Sequence, residues 1–187
     1  MGRIVVTEFI SIDGVVEAPG GEEFRHPNWS FTVNRGEAGE QYKLNETLEA
    51  SALLIGRKTY EGFSAAWPKI EGEFADKYNT MSKYVISQTL VDPTWNNTSV
   101  LSGDVIEEVQ KLKADVPGDI SVAGSIQLVQ TLLAADLVDE IHLMTTPVIL
   151  GHGRKLWSQT PDMTTWRLAD VQTFGDGIPL VNYIRDR

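Results

Sequence analysis

ISVAGSIQLVQTLLAADLVDEIHLMTTPVIL, residues 120–150, is the stretch that decides the fold. It opens with a short apolar, β-branched run, DISVAG at 119–124, which reads as a buried strand. Residues 125–135 then place Ile126, Val129, Leu132 and Leu133 at helical spacing, so a helix follows at once. Residues 137–146 return to strand composition and stop at Pro147. A strand, a helix and a second strand in so few residues make a right-handed crossover, which requires a parallel sheet.

The pattern repeats upstream. RIVVTEFI (3–10) is a strand, and the Gly-, Pro- and aromatic-rich segment from Ser11 to Asn34 is a long loop of the kind that usually carries function. Residues 36–50 read as a helix with Tyr42, Leu44 and Leu48 on its apolar face. SALLIG (51–56) is a strand, KTYEGF (58–63) starts a helix that Trp67-Pro68 breaks, and 72–81 adds another short helix. KYVIS (83–87) and TSVL (98–101) are strands. Residues 104–114 form a surface helix with Val105, Ile106, Val109 and Leu112 inward, capped by Ser102 or Asp104. Downstream, 164–174 and 179–185 flank Gly175-Asp176-Gly177 as a hairpin. The order is β-loop-α-β-α-β-β-α-β-α-β-β-β, an α/β domain spanning 1–187 with an antiparallel C-terminal edge.

Composition limits the function. The chain has 187 residues and a formal net charge of −10, and its 16 Lys and Arg form no run, so a nucleic-acid partner is not expected. With no cysteine, disulfides, thiolate metal sites and cysteine nucleophiles are excluded. MGRIVVTEF has no secretory h-region, and no apolar run reaches the ~20 residues of a membrane span. A cytoplasmic protein with no membrane partner is expected. His26, His142 and His152 are too scattered for a metal site, and Asp139-Glu140 reads as a solvated pair.

Three segments share a strand, a small residue and a helix start: LLIG-RKT (53–59), YVIS-Q (84–88) and ISVAG-S (120–125). In an open α/β sheet, ligands sit beyond the carboxyl ends of the strands. Helix N-termini there offer free N–H groups to phosphate, and Gly lets backbone approach an anion. Either Gly56 or Gly124 alone is an ordinary tight turn. Three such turns on successive strands point to a dinucleotide, with Arg57 and Lys58 supplying local positive charge. None is a G-x-G-x-x-G or Walker A sequence.

ISIDGVVEAPGG (10–21), LLIGRKTYEGFSAAWP (53–68), KYVISQTL (83–90) and 120–157 together resemble the dihydrofolate reductase superfamily. LVDEIHL and PVILGHG point to the branch containing the reductase half of the bifunctional riboflavin deaminase–reductase. The resemblance implies a dihydrofolate-reductase-like three-layer fold with a mostly parallel central sheet and a C-terminal antiparallel hairpin. It implies that Gly56, Arg57, Lys58 and Thr59 hold cofactor phosphates, with Arg57 near the adenosine 2′-phosphate. Ser87, Gln88, Gly124 and Ser125 complete the cofactor set, although Gln88 stands where a base is usual and Ala123-Gly124 where Gly-Gly is usual. Asp13 in SIDG would lie beside the nicotinamide as a catalytic group, or simply make an Asx turn with Gly14. Glu37 or Glu40 falls near the helix acid of true dihydrofolate reductases.

The substrate set is Trp29, Phe63, Trp67 and Arg154, with ordinary core packing the competing reading for each aromatic. Arg35 and Lys69 are further candidates for a substrate phosphate, and His152 for the rim. The implied activity is an NADPH-dependent reduction (NADH being the alternative) of a small heterocyclic or ribosyl-phosphate compound. The nominal substrate is 5-amino-6-(5-phosphoribosylamino)uracil of riboflavin biosynthesis. A dihydrofolate, pterin or other small-molecule reductase, and a catalytically degenerate NADP-binding module, are the alternatives. A homodimer is expected from the resemblance.

Overall fold

A computed structural model describes residues 1–20, 23–157 and 162–186. Eight strands form one sheet: β1 (Arg3–Ser11), β2 (Ala52–Gly56), β3 (Ser82–Ile86), β4 (Thr98–Leu101), β5 (Asp119–Ala123), β6 (Glu140–Thr146), β7 (Trp166–Phe174) and β8 (Ile178–Arg185). Their spatial order is β4-β3-β2-β5-β1-β6-β8-β7. The first six are parallel to their neighbours, and β8 and β7 add antiparallel pairs at one edge. The α/β fold with a largely parallel sheet and a terminal hairpin is the one the alternating pattern predicts.

Among the described residues, five α-helices cover the sheet: α1 (Gly36–Glu49), α2 (Arg57–Ala66), α3 (Glu73–Thr80), α4 (Val105–Asp115) and α5 (Ile126–Ala134). The period-2 alternation of the strands sorts them into two faces. Ile4, Val6, Leu54, Ile120 and Val122 pack against Val109 and Leu112 of α4 and Val129 and Leu132 of α5. Leu53, Ile55 and Val85 point the other way, against Tyr60 of α2 and Tyr78 of α3. The result is three layers, helix–sheet–helix.

Several expectations are corrected. On α1 the buried positions are Gly39, Lys43 and Thr47 rather than Leu44 and Leu48, because this helix meets the sheet through polar contacts. On α4, Ile106 is exposed and Lys113 is buried instead. Asp104 caps that helix, accepting hydrogen bonds from Ile106 and Glu107 N–H, and Ser102 is not needed. On α5, Ile126, Val129 and Leu132 are buried and Leu133 packs partly buried against the same core, with Leu128 a further buried position. The strand expected from 137 begins at Glu140, since Asp136 adopts positive φ and residues 137–139 complete the turn. No helix follows Ser87; its Oγ accepts from Thr89 and Leu90 N–H at 3.2 and 2.9 Å, closing a turn that leads to β4. No helix among the described residues is long and apolar enough to cross a membrane.

Candidate functional site

β2 and β5 are neighbours in the sheet, yet α2 leaves toward one face and α5 toward the other. Adjacent strands whose helices diverge create a crevice at their carboxyl ends, where open α/β sheets bind ligands. The two turns there are tied together. Ser125 N–H donates to Thr59 Oγ1 at 3.0 Å, the Ser125 and Thr59 hydroxyls lie 2.9 Å apart, and Gly56 N–H donates to Ser125 Oγ at 2.9 Å. Gly124 and Ser125 both take left-handed φ, +62° and +58°. A Cβ at Gly124 would stand 3.4 Å from the Thr59 side chain, an ordinary contact, so it is the left-handed φ that favours glycine there. Neither α2 nor α5 has a side-chain hydrogen bond at its N-cap, which leaves first-turn N–H groups for a ligand.

Gly56, Thr59, Gly124 and Ser125 are therefore brought into one cluster. Arg57 is half-exposed and pairs with Glu61 at 3.2 Å. The Lys58 charge acts on Glu17, whose carboxylate also accepts from Arg154 N–H and Nε, each at 2.8 Å. Burial pushes Glu17 up, but these partners outweigh it and hold it below the usual carboxylate range. Ser87 and Gln88 follow β3, beyond β2, with the Ser87 hydroxyl consumed by its own turn and Gln88 exposed.

The Asp13 carboxylate is a clamp between two loops. Its Oδ1 accepts from Ser11 Oγ at 2.7 Å and from Leu150 N–H at 3.1 Å, and Oδ2 accepts from Gly151 N–H at 2.9 Å. The Ser11 hydroxyl and these amides lower its pKa to about 2. A carboxylate so held is anionic at neutral pH and has no proton to give. It joins the β1 turn, where Gly14 has φ +83°, to the loop after β6. Val16 N–H to Arg154 O and Leu156 N–H to Gly14 O continue the same seam.

The expected substrate aromatics are engaged elsewhere. Trp29 is 1% exposed and donates its indole N–H to Glu17 O at 2.8 Å. Trp67 stacks on Tyr78 at 4.7 Å and on Phe74 at 5.3 Å, with Phe63 edge-on at 6.0 Å. These contacts are packing between α2, α3 and the sheet. Lys69 is exposed. Arg35 is buried between the rings of Phe9 and Phe31, each 4.7 Å away, and reaches Glu40 at 2.9 Å. Glu37 and Glu40 are exposed, so α1 brings neither as a buried acid. His26 and His152, expected to be scattered, have ring centroids 5.2 Å apart, with Phe24 stacked on His152 at 4.9 Å. Among the described residues, no group of three or more His, Cys, Asp or Glu could hold a metal ion.

Two charged features were missed. Glu8 is 3% exposed, and its Oε1 has no hydrogen-bond partner. Burial drives its pKa well above the carboxylate range, against a lowering pull from Lys43 and the Gly124 amide. The signal was present in the sequence: Glu8 interrupts the core series Ile4, Val6, Ile10. The second feature runs along the α1 face. Lys43 Nζ donates to Thr7 Oγ1 at 2.6 Å and pairs with Glu46. His142 lies between Glu46 at 2.6 Å and Glu140 at 3.3 Å, and Glu140 meets Arg3 at 2.5 Å. Asp139 accepts from Lys113 at 2.5 Å and from Ile4 N–H at 2.7 Å, so Asp139-Glu140 is an ion-paired seam, not a solvated pair. A cavity of about 230 Å³ beside His142, lined by Val5, Tyr42, Glu46 and Asp119, lies under α1.

The sheet order and the paired turns define a dihydrofolate-reductase-like α/β domain. The chain belongs to the RibD C-terminal domain family, whose sequence profile matches residues 3–180. It is 28% identical to the uncharacterised YyaP and 24% identical to the uncharacterised YwjB, both of Bacillus subtilis strain 168. Those alignments cover 97% and 94% of this chain and 94% of each relative. In fold it is similar to a protein named for riboflavin biosynthesis from Shewanella sp. PV-4, with TM-score 0.79, 17% identity and 99% of both chains covered. It is also similar to a pyrimidine reductase-like protein from Corynebacterium diphtheriae, with TM-score 0.66, 14% identity, and 99% of this chain and 92% of that one covered.

Proposed function

We propose that the protein is an NADPH-dependent reductase of a small heterocyclic or ribosyl-phosphate compound, nominally 5-amino-6-(5-phosphoribosylamino)uracil. The observation that carries this reading is the crevice between β2 and β5, where two uncapped helix N-termini are locked side by side by Ser125 and Thr59. A pyrophosphate fits such a pair, because each terminus offers backbone N–H groups and a positive dipole end. The cofactor supplies the hydride; the protein supplies position, field and a proton. Gly56, Thr59, Gly124 and Ser125 would hold the phosphates, with Arg57 and Lys58 at the outer edge and Ser87 and Gln88 toward the adenosine. Arg57, already sharing its charge with Glu61, and Gln88 make the preference for NADPH over NADH modest. On the substrate side, Arg154, which holds Glu17, and Arg35, stacked on Phe31, are the candidate cations beside the loop after β1.

Quenching of tryptophan fluorescence by NADPH tests the cofactor. NADPH oxidation with the aminouracil phosphate and with dihydrofolate tests the substrate. Saturable quenching at micromolar NADPH with turnover of the first compound supports the reading; no quenching at millimolar NADPH rejects it. The immobilised Asp13 favours the second reading, a module that binds NADP without turnover; saturable quenching with no oxidation of either compound selects it. A cytoplasmic homodimer completes the proposal.

A further inference from the structure

We propose that Glu8 is the proton donor of this site, a role that rests on the reductase reading above. The argument begins with register. Pairing of β1 with β5 runs from Arg3↔Asp119 to Thr7↔Ala123 and stops, whereas pairing with β6 continues to Ser11↔Thr146. Glu8 is thus the first β1 residue past the point where β1 and β5 part. Its carboxyl meets the backbone amide of Gly124, the residue that opens the paired-turn cluster. Side-chain parity puts it in the Ile4–Val6–Ile10 row, on the α5 side of the sheet.

Two facts separate Glu8 from an ordinary buried acid. Oε1 has no partner, although buried polar atoms nearly always have one. And the other carboxylates at the strand ends are committed: Asp13 to two backbone amides and Ser11, Glu17 to Arg154. Burial favours the neutral form of Glu8. Lys43 of α1 opposes that rise, and Tyr78 of α3 feels the Glu8 charge.

The chemistry balances. A carbonyl or imine carbon that gains a hydride forms a C–H bond, and its π pair moves to the oxygen or nitrogen. That atom takes a proton as the Glu8 O–H bond breaks. The nicotinamide is left oxidised and Glu8 is left as a carboxylate, which solvent reprotonates when product leaves. A carboxyl whose neutral form is favoured by burial suits this step, since a general acid must carry its proton into the reaction.

Infrared spectroscopy of ¹³C-glutamate-labelled protein at pH 7, free and with NADPH, tests this together with Glu8→Gln. The expected result is a protonated-carboxyl band in the wild type that shifts on NADPH addition and is absent from E8Q. E8Q should bind NADPH within about threefold of wild type. With whichever test compound is turned over, its kcat should fall about 100-fold, with KM for NADPH unchanged. A wild type that binds NADPH but lacks the band, or whose band ignores NADPH, overturns the proposal, as does E8Q turnover within threefold of wild type. Because the band is read on wild-type protein, misfolding of E8Q cannot mask the answer. A wild type that fails to bind NADPH overturns the reductase reading itself, which is a separate result.

Discussion

His142 shows how one side chain ties folding to pH. Burial pushes its pKa down, but hydrogen bonds donated to Glu140 and Glu46 outweigh that and raise it to about 9. Burial pushes Glu46 up, yet Lys43 and His142 hold it at about 2. A histidine with a raised folded pKa stabilises fully below its unfolded pKa, roughly 6.5, and that contribution is lost as pH rises through 9. Glu46 stabilises above its unfolded value and loses that contribution as pH falls toward 2. The His142 contribution to stability should therefore decline by about 2–3 kcal/mol between pH 6 and pH 9.5. Urea denaturation at the two pH values checks this, and His142→Gln should flatten the difference. Also at this scale, Thr59→Val strips the acceptor from the Ser125 amide. Leaving this part-buried donor unmatched costs about 1 kcal/mol and loosens the paired turns, so NADPH affinity should fall several-fold in a fluorescence titration.

At the scale of elements, two seams can be probed separately. The Asp13 carboxylate is the joint between the β1 turn and the loop after β6. Asp13→Ala should speed hydrogen exchange at Leu150 and Gly151 by more than tenfold while leaving exchange in β5 unchanged. The α2–α3 joint is the Trp67, Phe74, Tyr78 stack. Trp67→Ala should destabilise by about 2–3 kcal/mol through lost packing, read as a lower urea midpoint. KM for substrate should not move, and a large rise in KM would restore Trp67 as a substrate contact.

At the scale of the whole molecule, β7 is one of the two edge strands of the sheet and leaves Leu168 and Val171 more than half exposed. Exposed apolar edge strands invite pairing with another chain. Sedimentation velocity should give the mass of two chains, and Val171→Lys should shift the species toward one. An unchanged mass in the variant would place any dimer contact elsewhere.

The sequence by itself determined the alternation of strands and helices, the parallel sheet, the hairpin edge and the two Gly-containing turns. Those features are local: period-2 and period-3.6 patterns, Gly at sharp turns and Pro at ends leave their mark within a few residues. Only the tertiary structure decided what polar groups do when residues far apart in the chain meet. Ser125 and Thr59 are 66 positions apart, and Glu46 and His142 96. Asp13 reads equally as a catalytic group or an Asx turn until Leu150 and Gly151 are seen to hold its carboxylate. Trp29 and Trp67 read as pocket walls until the Glu17 carbonyl and the Tyr78 ring are seen to occupy them. Glu8 reads as one polar residue in a strand until its neighbours on both sides remove it from water. Burial and partner choice are properties of the assembled sheet, so the candidate site became legible only when β1, β2, β5 and β6 lay side by side.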